Sequence, residues 1–452
     1  MRNDDQLRIA HLYRRAGFGL APDELEAATA KGFEACVDEL LHPEKVADPL
    51  DERLAALQGE LFDLSNFDDA QAWWLYRMIH TRRPLVEKLT LFWHQHFATA
   101  NSKVDNPRLM VQQNQLLREG ALGRFGTLLL GVSRDPAMIV WLDNGLSSRK
   151  SPNENYGREL LELFTLGLGA YGEDDVRTAA RAFTGWKQHG GEFFFDKNDH
   201  DEGPGAFLGA IWAWSGEEIV EALARHPATA ARLARELVRF FVADEGADEG
   251  ADEGQYELEQ EVARTYLASG GDVRACVAAI LRAPQFVAPA AFRARVKSPV
   301  ELAVGAIREL GSTLPIRALL PALVRMGQSL FNPPTVKGWD GGFDWINTAT
   351  LFERASFANL LATQRGAKGD RWFEPGAWVP KDADGKTTVA TFVDALLDGR
   401  APDAMRATLE EYLEGKDKQG KPVPFKAAAQ SLDEKARGLV RLIVASPEYQ
   451  LA

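Results

Sequence analysis

The sequence predicts a mainly α protein: one large multi-helical body with a small β-hairpin insertion near residues 184–214. Three observations point there. Apolar residues recur at spacings of three and four along most of the 452 residues, the period of an amphipathic helix. Gly, Pro, Asn and Asp collect between those runs, where helices stop and start. Between Thr184 and Trp214 the period changes, and Trp186, Glu192–Phe195 and Ala206–Leu208 read as short strands separated by Gly-rich turns.

Gln6–Arg15 opens the helical series and stops at Gly17 and Gly19. Pro22–Lys31 and Phe33–Leu41 follow, and Asp51–Asn66 is polar with weak periodicity. Asp68–Thr81 and Pro84–Ala100 are two strong helices joined by Arg82-Arg83; Pro107–Glu119 and Arg124–Val132 continue the pattern. The next helix has the most specific start in the chain. Ser151 is a good N-cap, Pro152 suits the first helical position, and Glu154 completes a capping box. Tyr156, Leu160, Leu163 and Phe164 then recur at helical spacing, and Gly167 is the stop.

Asp174–Phe183 precedes the strands; Gly216–Arg225, Pro227–Val242, Gln255–Ala268 and Val273–Arg282 follow them. Three tandem Ala-Asp-Glu-Gly units at Ala243–Gly254 read as a surface loop lengthened by duplication. Pro299–Leu310, Arg317–Met326 and Thr348–Gln364 are helices, whereas Met326–Asn347 is too rich in Pro and Gly for regular structure. The tail holds two or three helices and a lysine-rich linker at Gly415–Pro422. Ala283–Lys297 is the best place to subdivide the chain. That gives an N-terminal lobe, 1–296, with the β insertion, and a C-terminal lobe, 297–452, with the Gly/Trp-rich loop, within one compact domain.

The formal net charge is −13, and the repeat contributes three Asp–Glu pairs to it. An acidic chain without a long basic run argues against nucleic-acid binding. No stretch approaches eighteen apolar residues, so no transmembrane helix is expected. The N-terminus shows no signal peptide, so a cytoplasmic location is expected; export is the alternative if the N-terminus is trimmed. Cys36 and Cys276 lie far apart in apolar helical settings and read as buried thiols.

The candidate chemistry centres on Asn155, Glu159 and Glu162, which fall at i, i+4 and i+7 on one helix face, with Arg158 four residues before Glu162. This is either a solvated stripe with a local ion pair or a cleft-lining face in which two carboxylates and an amide hold a divalent cation or polar ligand. Arg134, Arg149, Lys150 and Arg158 are the nearby cations. His94 and His96 point about 200° apart on a helix, so they cannot easily share a metal. His96 alone remains a proton-transfer candidate, with Lys88 two turns before it near the same face. The Asp196–Gly203 turn resembles a calcium loop but has His200 and Asp201 where an EF-hand needs an oxygen ligand and Gly. Another cation site using His200 and Asp201 stays open. Trp339 and Trp345 flank Gly341-Gly342 and either stack on a ligand or pin their loop to the core. Phosphate-loop, nucleophile-elbow and dinucleotide-binding motifs are missing from the sequence.

Several stretches together carry a resemblance: His11–Gly19, Lys88–His96, Ser133–Met138, Pro152–Tyr156 with Arg158–Gly167, Thr184–Trp186, His200-Asp201, Lys297–Pro299, Gly338-Trp339, Gly341-Gly342 and Trp345–Asn347. From about Ile9 to Leu361 the chain resembles the bacterial DUF1800 family, which is defined as one of unknown function. The family pattern often has Lys where Gly205 stands and Pro where Asp340 stands. The resemblance implies a possible partner, a DUF1501-like protein encoded nearby that itself resembles the alkaline phosphatase superfamily. It supplies no established catalytic residue.

Two functions are therefore expected. The first is a binding or assembly role built on a polar inter-helix cleft, with Asn155, Arg158, Lys88, Arg134, Trp339, Trp345, His200 and Asp201 as its binding residues. The alternative is a hydrolase or lyase acting on an envelope-related polymer or small polar substrate, with Glu159, Glu162 and His96 catalytic.

Overall fold

Local chemistry starts most of the helices. Asn3 and Gln6 form a reciprocal capping box at α1 (Asp4–Arg15), and Pro22 occupies the first position of α2 (Pro22–Lys31). In chain order there follow α3 (Phe33–Leu41), α4 (Leu50–Leu57), α5 (Phe67–His80), α6 (Pro84–His96), α7 (Asn101–Val104), α8 (Pro107–Glu119), α9 (Phe125–Arg134), α10 (Pro136–Trp141), α11 (Glu154–Glu159) and α12 (Glu173–Ala182). Beyond the β insertion come α13 (Gly216–Arg225), α14 (Pro227–Phe241), α15 (Ala251–Ser269), α16 (Val273–Arg282), α17 (Pro299–Glu309), α18 (Leu320–Arg325) and α19 (Thr348–Thr363). The tail adds α20 (Gly385–Leu397), α21 (Asp403–Leu413), α22 (Ala429–Ala445) and α23 (Pro447–Gln450). This computed structural model describes residues 2–244, 251–312, 315–363, 374, 378–416, 422–423, 425 and 429–452.

The insertion is two antiparallel hairpins. β1 (Trp186–His189) pairs with β2 (Glu192–Phe195), and β3 (Gly205–Phe207) pairs with β4 (Ala210–Trp212). Trp186 is buried against Phe183 and Phe193, which seats the first hairpin on the helical body. A further short pair, β5 (Gly415–Lys416) with β6 (Pro422–Val423), flanks 417–421 of the expected linker, which lie outside the described residues. Gln364, the expected end of its helix, also lies outside them.

The weakly periodic Asp51–Asn66 contains most of α4. The fold corrects two local expectations. The repeat is not simply a surface loop: Ala243 and Asp244 are buried and its last unit opens α15, while 245–250 lie outside the described residues. The expected Ser151 capping box is absent. Ser148 and Ser151 exchange backbone hydrogen bonds in a tight turn, and α11 starts later. Asn153 is the cap: its side chain accepts the Asn155 N–H at 3.0 Å and donates to the Asp143 carbonyl at 2.9 Å.

α11 runs directly into a π-helical turn, Leu160–Thr165. Leu166 N–H reaches back five residues to the Leu161 carbonyl at 2.8 Å, and Thr165 Oγ1 donates to the Leu160 carbonyl at 2.6 Å. The wider turn changes the angular step, so Asn155, Glu159 and Glu162 do not keep the single stripe that an unbroken α-helix would give them. Gly167 ends the segment as expected, at φ +80°, with its N–H also on the Leu161 carbonyl.

Two large apolar clusters form the core. One gathers α1–α3, α6, α9, α11, α14 and α16, including Ile9, Val37, Leu89, Leu160, Leu237 and Val277. The other joins α4 and α5 to α17 and the tail helices, through Leu54, Trp74, Met78, Val304, Phe392 and Val440. Fully burying such a side chain stabilises the fold by about 1.5–3 kcal/mol. Buried charge between the helices is satisfied in kind. Glu87 on α6 accepts from Arg77 Nε at 3.0 Å, Arg118 Nε at 2.6 Å and Trp74 Nε1 at 3.1 Å. Cys36 and Cys276 are free thiols in the interior.

Candidate functional site: a polar cavity between helices

α6, the π-turn, α14, the start of α17 and the loop 336–345 enclose a cavity of about 480 Å3. α14 shows how the sequence builds it. Ala230, Leu233, Ala234, Leu237, Val238 and Phe241 form its buried stripe, while Arg232, Glu236 and Arg239 recur at i, i+4 and i+7 and line the cavity. α17 contributes through its cap. Ser298 and Glu301 make a capping box, and both side chains reach the cavity wall.

The Gly/Trp-rich loop closes one side. Gln95 on α6 clamps Trp339 through both backbone groups: its Oε1 accepts the Trp339 N–H at 3.1 Å and its Nε2 donates to the Trp339 carbonyl. This close approach explains Gly338, whose φ is +81° and where a Cβ would lie 2.7 Å from the Gln95 carbonyl oxygen. Trp339 and Trp345 are only 5% and 9% exposed and pack with Val296, so they pin the loop while presenting surface to the cavity.

His96 is held from both sides. Its Nδ1 lies 2.7 Å from Glu236 Oε2, and its Nε2 lies 3.1 Å from the Phe164 carbonyl oxygen. That carbonyl is at the end of the π-turn, where helical carbonyls lack intrahelical donors. Burial alone would raise Glu236, but His96 and Arg232 beside it hold its carboxyl below the usual range. Deeper in, Lys88 Nζ pairs with Glu301 Oε1, between the rings of Phe18 and Phe240 at 5.1 and 5.5 Å. Burial pushes the Lys88 ammonium down to about 8, against the pull of Glu301. Glu301 moves well below the carboxylate range: Lys88 and Arg295 outweigh its own burial. Arg295 Nη1 donates to Glu301 Oε1 at 3.3 Å, and Asp244 Oδ2 accepts the Val296 N–H at 2.8 Å.

A family model described as a protein of unknown function, DUF1800, matches residues 11–451. The chain belongs to the DUF1800 family. No curated protein and no solved structure matches it. The expected resemblance therefore holds over nearly the whole chain, and the DUF1800 match carries no reaction with it.

Of the candidate residues in this DUF1800 chain, His96, Glu162, Trp339 and Trp345 line the cavity. Lys88 stands directly behind Glu301. Glu162 accepts from Tyr171 Oη at 2.9 Å. Glu159 is half-buried, and burial together with Glu162 raises its carboxyl. The others sit elsewhere. Arg158 does not pair with Glu162; it grips Glu173 with two bonds of 2.9 Å and reaches Glu154. Asn155 donates to the Leu142 carbonyl at 3.2 Å. Arg134 pairs with Glu217 at 2.6 Å and stacks over Trp186. His200 and Asp201 belong to the insertion, where Thr184 holds His200 and Arg181 grips Asp201 at 2.9 and 3.1 Å. Arg149 and Lys150 are the central residues of the Ser148–Ser151 turn, outside the cavity lining. Among the described residues, no group of three His, Cys, Asp or Glu is placed to hold one metal ion. No helix among them is long and apolar enough to cross a membrane.

Sequence reading missed Gln95, Arg232, Glu236, Arg239, Asp244, Arg295 and Glu301. The i, i+4, i+7 spacing on α14 was the available signal for three of them. The Ser298–Glu301 capping box was the signal for a fourth. Asp244 was hidden inside the repeat.

Proposed function

We propose that this DUF1800 protein is a binding protein whose cavity takes a small polar ligand. One observation carries the reading: a cavity of about 480 Å3 sets an aromatic wall of Phe92, Phe240, Trp339 and Trp345 against a charged wall built from α14 and α17. A cavity of that size with a few convergent polar groups is the form ligand sites take. Binding is favoured over catalysis because both His96 nitrogens are already engaged. The test is thermal-shift screening of the purified protein with a panel of amino acids, dicarboxylates, sugars and sugar phosphates. Compounds that raise Tm for the wild type are expected to lose the effect in Leu163→Trp, which fills the cavity from its half-buried wall. A panel with no hit, or hits that survive Leu163→Trp, removes the reading.

A hydrolase or lyase is the second reading, favoured by the Glu159–Glu162 carboxyl pair with its raised Glu159. A raised carboxyl suits a general acid. Here turnover of purified peptidoglycan, abolished by Glu159→Gln, is the expected result; no turnover by the wild type ends that alternative.

A further inference from the structure

The inner end of the cavity is cationic. Arg239 and Arg295 line it, and Arg15 and Lys88 stand behind it, against two carboxylates, Asp244 and Glu301. Both carboxylates are already used. Glu301 accepts from Lys88, Arg295 and the Ser298 N–H, and Asp244 accepts the Val296 N–H. Two of the cations, Arg295 and Arg15, are less completely matched. Arg295 is 8% exposed and lines the cavity, yet its Nε has no hydrogen-bond partner; Asp244 Oδ1 lies beside it at 3.7 Å, outside bonding reach. Arg15 is fully buried and uses only Nη2, on the Val242 and Ala291 carbonyls, leaving Nε and Nη1 unpaired. A buried donor without an acceptor is costly, and an anion entering the cavity would satisfy that of Arg295, which lines it, with a charge-assisted bond. A metal ion would face the same cations and find both carboxylates occupied.

We propose that this inner end binds the anionic group of the ligand, a carboxylate or a phosphate, against Arg295, while the rest of the ligand lies along Trp339 and Trp345. The proposal rests on the binding function proposed above and specifies its ligand. The aromatic wall suits a ring, and the acidic side chains Glu162 and Asp340 come from the π-turn and the Gly/Trp-rich loop.

Matched probe pairs test it by calorimetry. Benzoate against benzamide isolates a carboxylate, and glucose 6-phosphate against glucose isolates a phosphate. At least one anion is expected to bind about ten- to a hundredfold tighter than its neutral partner. Inorganic phosphate should compete with the phosphate ester if that pair is the one that responds. Arg295→Gln is expected to erase the difference. Because that variant disturbs Glu301, Gln328→Glu provides an independent probe. It adds negative charge to the cavity wall and keeps an oxygen for the Val300 N–H, accepted now at 2.9 Å. It should weaken the anion at least tenfold and leave the neutral compound unchanged. Equal binding of charged and neutral partners, or an anion indifferent to Gln328→Glu, overturns the anion site while leaving the cavity as a ligand site. Absence of binding by all five probes also overturns it; the wider panel then decides the binding reading separately.

Discussion

Lys88 has no exposed surface and lies under two aromatic rings, so its charge depends on Glu301. The folded ammonium releases its proton near 8, against an ordinary 10.5. Between those values the unfolded chain binds more protons than the folded one, so this group makes stability rise as pH rises through that window. Lys297, pushed by burial down to about 7, acts in the same direction. Glu301 works at the other end, contributing stability that is lost as pH falls below the usual carboxylate range. Urea unfolding at pH 7.5 and 10 should therefore show a rise in the wild type that shrinks by about 1–3 kcal/mol in Lys88→Met. Equal rises in the two proteins would mean that Lys88 titrates as an ordinary lysine. Glu301→Gln should cost about 3–5 kcal/mol at neutral pH, because it strands Lys88 and weakens the hold on Arg295. An equilibrium melt checks that loss.

At the scale of one element, the segment from Ser147 to Gly167 shows how a correct helix can carry a wrong start and a hidden irregularity. Ser151, Pro152 and Glu154 offer all the chemistry of a capping box, but the chain tightens at Ser148–Ser151 first and Asn153 caps instead. Asn153→Ala is expected to lose about 1–2 kcal/mol and Ser151→Ala less than about 0.5, measured by chemical unfolding. The reverse ranking would restore Ser151 as the cap. The π-turn was illegible for a different reason. Leu160, Leu161, Leu163 and Phe164 suit either turn width, so periodicity does not choose between them. Thr165 bonds across the wide turn, and His96 accepts a place beside the Phe164 carbonyl from another helix. Gly167 was legible because only a residue at ease with positive φ ends a helix this way. Gly167→Ala should cost about 1–2 kcal/mol, and its new methyl would stand 3.3 Å from Arg232, carrying the disturbance to the cavity.

Across the whole molecule, periodicity revealed the helices because it is local, and the cavity stayed hidden because its partners are not. His96 meets Glu236 across 140 residues, and Lys88 meets Glu301 across 213. Neither pairing leaves a spacing signal. The same long reach bears on the division at residues 296 and 297. α4 and α5 precede it in sequence but pack with α17 and the tail helices, and the C-terminal Ala452 N–H bonds the Arg295 carbonyl at 2.7 Å. A fragment of residues 1–296 would expose the α5 face that carries Trp73, Trp74 and Met78. Exposure of a continuous apolar face promotes association. The fragment alone should therefore bind a hydrophobic dye or aggregate, and co-expression with residues 297–452 should restore a soluble complex with a single cooperative melt. A fragment that melts cooperatively alone, without dye binding, would instead make each lobe an independent folding unit. The cavity would then lie at a docking surface between them, because α6 and α14 come from one side of the division and α17 and the Gly/Trp loop from the other.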